Sequence, residues 1–142
     1  MLDRAIALAA ESFKGRFDKA GRPYILHCLA VMNQMPQDDE ELMAIAVLHD
    51  VVEDTKITFT DLAQQGFSRR VITALQLLTH NHDTSYDDYV RALAVNPDAK
   101  RVKIADLRHN SDITRMKGLE TKDFDRLEKY HRSYIYLTKI AP

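Results

Sequence analysis

Apolar positions recur at helical spacing along most of the chain. In "LDRAIALAAESFK", Leu2, Ile6, Ala9, Ala10 and Phe13 form one face, which predicts an amphipathic first helix. "GRFDKAGRP" breaks the pattern with Gly15, Gly21 and Pro23 and reads as a loop. "PYILHCLAVMNQM" resumes it, with Pro23 suited to a first helical turn and Pro36 marking the stop. "DDEELMAIAVLHDVVED" opens on acids, which favour a helix N-terminus, and then becomes almost wholly apolar.

The second half carries clearer punctuation. Thr58 and Asp61 form a box-like cap for a short helix that stops at Gly66. Ser68 is positioned to cap "RRVITALQLLTH", "NHDT" reads as a loop, and "SYDDYVRALAV" as the next helix. Asn96-Pro97 caps and opens "DAKRVKIADLRHNSDITRM". "KGLETKD" reads as a loop and "FDRLEKYHRSYIYLTKI" as the last helix. No stretch reads as a sheet. The expectation is an all-α chain forming a single domain over 1–142, with about seven or eight helices.

Composition narrows the class. The chain has 142 residues, enough for a real core, and is 45% hydrophobic and 29% charged, in the range of a globular domain. The net charge of −1 gives no global field to recruit nucleic acid or a membrane. Cys28 is the lone cysteine, which excludes an internal disulfide and fits a reducing compartment. "MLDRAIALAAESF" lacks a secretory layout, and no apolar run approaches a bilayer span, so a cytoplasmic protein is expected.

One stretch does not fit a plain core helix. "AIAVLHDVVEDT" crowds His49, Asp50, Glu53 and Asp54 at the end of an apolar run. Acids there oppose the helix dipole, and buried charges are costly unless paired or bound to metal. Residues three or four apart are neighbours on a helix, so His49 and Asp50 could both reach one cation. Glu53 and Asp54 would lie one turn on, free to handle protons. A solvated helix end is the other reading. His27, in the apolar "PYILHCLAV", and Asp106, in "VKIADLRHN", extend the pattern. One His, one His-Asp pair and one Asp on three helices suit a divalent transition metal with open coordination positions. His109 is three residues after Asp106, also a usable metal-pair spacing, whereas His80 and His82 lie in a polar loop. Lys14, Arg16, Lys19 and Arg22 outnumber Asp18 in the loop before His27, a composition that suits phosphate oxygens or a solvated turn.

The order His…His-Asp…Asp resembles the HD superfamily of metal-dependent phosphohydrolases. "DKAGRPYILH", "AVLHDVVEDT", "LTH…SYDDYV" and "VKIADLRHN" resemble successive motifs of RelA/SpoT-type alarmone hydrolase domains, including the small stand-alone hydrolases. The resemblance implies that His27, His49, Asp50 and Asp106 bind one metal, expected to be manganese. It implies that Glu53 and Asp54 are catalytic, and it places Lys19 and Asn110 against the nucleotide; it does not use His109 as a ligand. Lys103, one turn before Asp106, is a further candidate for phosphate.

The activity implied is removal of the 3′-pyrophosphate from guanosine tetra- and pentaphosphate, with no synthetase activity. Expected partners are the guanosine polyphosphate itself, a second copy in a homo-oligomer, and a small alarmone synthetase in the same pathway. Two competing readings stay open. One is hydrolysis of another phosphorylated nucleotide, such as a dinucleotide bearing a ribose phosphate; the other is a non-catalytic nucleotide-sensing or interaction module.

Overall fold

The computed structural model describes residues 1–139, and among these nine α-helical segments and one 3-10 turn carry the fold. No β-sheet forms among the described residues; an isolated antiparallel bridge joins Phe17 to Pro23. The expected all-α class holds. The helices are α1 (Leu2–Ser12), α2 (Ile25–Asn33), α3 (Glu40–Leu48), α4 (Val51–Asp54), α5 (Phe59–Gln64), α6 (Arg69–Leu78), α7 (Tyr86–Leu93), α8 (Pro97–Asn110) and α9 (Thr121–Lys139). The 3-10 turn spans Ile113–Arg115.

Helix α3 is the hub, packed against α1, α2, α6 and α8. Leu42 and the run Ala44–Leu48 are fully buried, so the helix is apolar all round, as a central helix must be. Its N-terminus is capped by the Asp39 carboxylate, which accepts from the Leu42 N–H at 3.0 Å. Arg70 ties that cap to the first turn of α8, donating to Asp39 and Asp98 at 2.8–2.9 Å. The caps read from sequence are in place: Thr58 and Asp61 close a reciprocal box, and Ser68 and Asn96 each cap their helix; Ser85 caps α7 in the same way.

Several boundaries differ from the periodic reading, each for a local reason. On α1 the buried face runs through Ala5 and Ala9 to Phe13, while Ala10 is exposed. Pro23 pairs with Phe17 instead of opening α2, which begins at Ile25. The helix predicted through "LHDVVED" breaks at His49–Asp50, leaving α4 as a single turn. The Asp106 helix stops at Asn110, because the Asp112 carboxylate bonds the Thr114 N–H and starts the 3-10 turn. Helix α9 begins at Thr121, three residues earlier than expected, and its predicted end at Ile140 lies outside the described residues.

Candidate metal centre and adjoining cavity

Three helices and one break deliver the candidate ligands. His27 projects from the first turn of α2. His49 and Asp50 occupy the junction between α3 and α4, and Asp106 lies in the last third of α8. The break at His49–Asp50 answers the oddity of the sequence there. The acids do not crowd the end of a long helix; Asp50 turns the chain, and Glu53 and Asp54 belong to a separate turn.

The four side chains converge. One donor atom from each of His27, His49, Asp50 and Asp106 lies within 4.8 Å of the others. His27 Nε2 is 3.0 Å from Asp106 Oδ1 and 3.6 Å from Asp50 Oδ2. His49 Nε2 is 3.0 Å from Asp50 Oδ2 and 3.2 Å from Asp106 Oδ1. His27, His49 and Asp106 are at most 4% exposed, and Asp50 is partly buried. His27 Nε2 is buried and lacks a well-directed hydrogen bond. A buried imidazole nitrogen without a partner, facing two carboxylates and a second imidazole, is the donor set a divalent transition metal takes. These residues therefore fit a metal ion.

Each candidate ligand is also held from behind. Tyr24 Oη donates to Asp50 Oδ2 at 2.6 Å. His49 Nδ1 lies 2.7 Å from the carbonyl of Ala46. Lys103 Nζ and Asn110 Nδ2 donate to the two oxygens of Asp106 at 2.9 and 3.0 Å. His27 Nδ1 lies 2.7 Å from His109 Nδ1. Such outer partners set ring orientation and ligand basicity.

Charge and burial pull against each other at this centre. Burial alone would lower both imidazole pKa values, but the carboxylates of Asp50 and Asp106 outweigh it and hold His27 and His49 above the ordinary range. Burial pushes Asp50 and Asp106 up; the imidazoles and, for Asp106, the Lys103 ammonium overcome it and hold both low. Burial raises the Tyr24 phenol, reinforced by the Asp50 charge, so Tyr24 stays a donor. Burial, then the Asp50 and Glu53 charges, raise Asp54 to about 6. Desolvation and the Arg115 charge lower His109 to about 4.

A cavity of about 830 Å³ opens beside this centre, with His27 and Tyr24 in its wall. That size suits a nucleotide-scale ligand. Lys19 and Asn110 line it; Lys14, Arg16 and Arg22 do not. Asp18 shapes the turn that presents Lys19: its Oδ1 accepts from the Ala20 and Arg22 N–H groups, both at 2.9 Å. Gly21, at φ 84°, supplies the left-handed residue the turn needs. Arg115 reaches across to Asp18 Oδ2 at 3.4 Å.

Lys103 departs from expectation. Its ammonium is buried against Asp106 and does not line the cavity, because an i, i+3 pair inside α8 satisfies both charges locally. Conversely, the sequence reading missed Arg115, Lys117, Lys122 and Arg126, which the 3-10 turn, the loop after it and α9 bring to the cavity. Their surplus of positive charge in "TRMKGLETKDFDR" was the available signal. It also missed the support of Glu53, whose Oε1 accepts from the His80 backbone N–H at 2.7 Å.

No protein-family model matches the chain. It is 35% identical over 98 residues to the bifunctional (p)ppGpp synthase/hydrolase SpoT of Escherichia coli K12, covering 67% of this chain and 14% of the relative. It is 28% identical over 119 residues to the guanosine-3′,5′-bis(diphosphate) 3′-pyrophosphohydrolase of Aquifex aeolicus, covering 77% of this chain and 17% of the relative. The structure of a metazoan ortholog of SpoT that hydrolyses ppGpp superposes with a TM-score of 0.77 at 22% identity, over 97% of this chain and 85% of that one. Over two thirds of its length the chain is similar to SpoT. The chain shares the fold of the metazoan ortholog over nearly its whole length, and it spans about a seventh of the E. coli relative. No helix among its described residues is long and apolar enough to cross a membrane.

Proposed function

We propose that the chain is a cytoplasmic, manganese-dependent hydrolase that removes the 3′-pyrophosphate from guanosine tetra- and pentaphosphate, and that residues 1–142 form one hydrolase domain. The observation that carries this reading is the convergence of His27, His49, Asp50 and Asp106 beside a nucleotide-sized cavity that His27 lines. The printed activities of the relatives, 3′-pyrophosphohydrolase and ppGpp hydrolysis, supply the substrate class.

His27, His49, Asp50 and Asp106 would hold the cation. When bound, a divalent metal polarises phosphoryl oxygens and acidifies water. Glu53 acts as general base, held at Oε1 by the His80 N–H. It takes a proton from water as the water oxygen bonds to the phosphorus attached at the ribose 3′ oxygen. The bond from that phosphorus to the 3′ oxygen breaks. Asp54, with its pKa raised to about 6, delivers a proton to the leaving 3′ oxygen. The products are pyrophosphate and the guanosine 5′-di- or triphosphate. Lys19 and Asn110 bind the nucleotide from the cavity wall; Lys103 is assigned to Asp106 and not to phosphate. A small alarmone synthetase is the pathway partner whose product this reaction removes, and a homo-oligomer is the expected assembly.

The test is product analysis with purified protein, manganese and guanosine tetraphosphate. Pyrophosphate and guanosine diphosphate are expected, with turnover nearly abolished in Glu53→Gln while metal content is retained. Orthophosphate from a different nucleotide, or binding without turnover, overturns the assignment.

A further inference from the structure

We infer that His109 is a positioning residue that fixes the tautomer of His27, and so decides which nitrogen His27 turns to the metal. The inference rests on the reading that the four-residue cluster holds a cation.

The two rings meet through their Nδ1 atoms at 2.7 Å, with 24° between their planes and 4.9 Å between centroids. That centroid separation is nearly the N···N distance plus two ring radii. The rings therefore meet edge to edge and nearly coplanar, the geometry of a hydrogen bond and not of stacking. Two nitrogens this close must share one proton: two lone pairs would repel, and two N–H groups would collide.

The opposite edge of His27 decides who carries that proton. Its Nε2 is buried and faces Asp106, Asp50 and His49. To offer a lone pair there, His27 must carry its proton on Nδ1 and donate it to His109. His109 must then present a bare Nδ1 and keep its own proton on Nε2. His49 meets the same requirement differently. Its Nδ1 faces the Ala46 carbonyl, which can only accept, so the proton on His49 is fixed by backbone. The partner at His27 Nδ1 is no carbonyl but the His109 imidazole. The acceptor is supplied from α8 instead.

Helix α8 is arranged to supply it. His109 follows Asp106 by three residues, so ligand and positioning residue share one helical face. The end of the helix is braced by Arg115 Nη1, which donates to the His109 carbonyl at 2.6 Å. The spacing Asp-x-x-His thus carries a ligand to the metal and an acceptor to the ligand opposite.

Two substitutions separate this role from packing. In His109→Asn the amide Oδ1 is bonded to Cγ just as the imidazole Nδ1 is, so an acceptor stays in place. His109→Leu keeps the branch and removes the acceptor. Binding of Mn²⁺ is followed by the electron paramagnetic resonance signal of the free ion, with His49→Ala as the reference for loss of the cluster. Protonation of each imidazole nitrogen is read by ¹⁵N NMR on wild-type protein loaded with diamagnetic Zn²⁺. Affinity should fall about 10–100-fold in His109→Leu. It should return to within a few-fold of wild type in His109→Asn, and the Zn²⁺-loaded protein should show His109 unprotonated at Nδ1. Wild-type affinity in His109→Leu, equal weakening in both variants, or a proton on His109 Nδ1 overturns the inference while the cluster stands. Equal Mn²⁺ binding by wild type and His49→Ala overturns the cluster and this inference together.

Discussion

Lys103 Nζ lies 2.9 Å from Asp106 Oδ2, both groups buried within α8. The ammonium holds a candidate metal ligand ionised in a place where burial alone would neutralise it. Breaking a buried pair leaves an uncompensated charge, so Lys103→Met should destabilise the protein by about 3 kcal/mol in denaturant unfolding. Lys103→Met combined with Asp106→Asn should cost less than the sum of the two single changes. Additive costs would show that the contact contributes nothing of its own.

Metal binding should appear as stability. A cation that binds only the folded cluster, at about 100 times its Kd, adds about 2.7 kcal/mol. Thermal unfolding of the wild type should therefore shift upward with added Mn²⁺, and His49→Ala should show no shift. An equal shift in both proteins would place the cation elsewhere.

Tyr24 is expected to act through Asp50. Its hydroxyl donates at 2.6 Å to Asp50 Oδ2, and its ring packs on Phe13 at 4.8 Å between centroids. Tyr24→Phe keeps the ring and removes a hydrogen bond to a charged group, which is worth about 1.5–3 kcal/mol. Mn²⁺ affinity, measured by titration, should fall by at least several-fold while the far-ultraviolet circular dichroism is unchanged. Undiminished affinity would mean that Asp50 is positioned without Tyr24.

Asp54 gives a pH signature. Its pKa is raised from the ordinary 3.8 to about 6. The folded state therefore holds this proton more tightly than the unfolded state. The resulting stabilisation is complete below 3.8 and is lost as pH rises through about 6. Relative to Asp54→Asn, the wild type should lose stability across that window and run parallel to it above. The carboxylate is solvent-accessible, so screening keeps the difference within about 1 kcal/mol. Chemical denaturation at a series of pH values measures it, and a difference that does not change with pH would place Asp54 at an ordinary pKa.

Much of the architecture was legible because its signals are local. Caps at Thr58, Ser68 and Asn96 act over three residues and could be read directly. The break at His49–Asp50 could not, since no Gly or Pro marks it and the apolar run continues on both sides.

The sequence by itself determined the helical class, the caps and the four residue types suited to a metal, because spacing along a helix and the chemistry of each side chain are properties of the chain. Their convergence to within 4.8 Å, the burial of Lys103 under Asp106, and the edge-to-edge meeting of His27 and His109 came only with tertiary structure. His27 and His109 are 82 residues apart, and no local pattern encodes a contact at that separation. It exists because α2 and α8 pack side by side and bring two imidazole edges to one point.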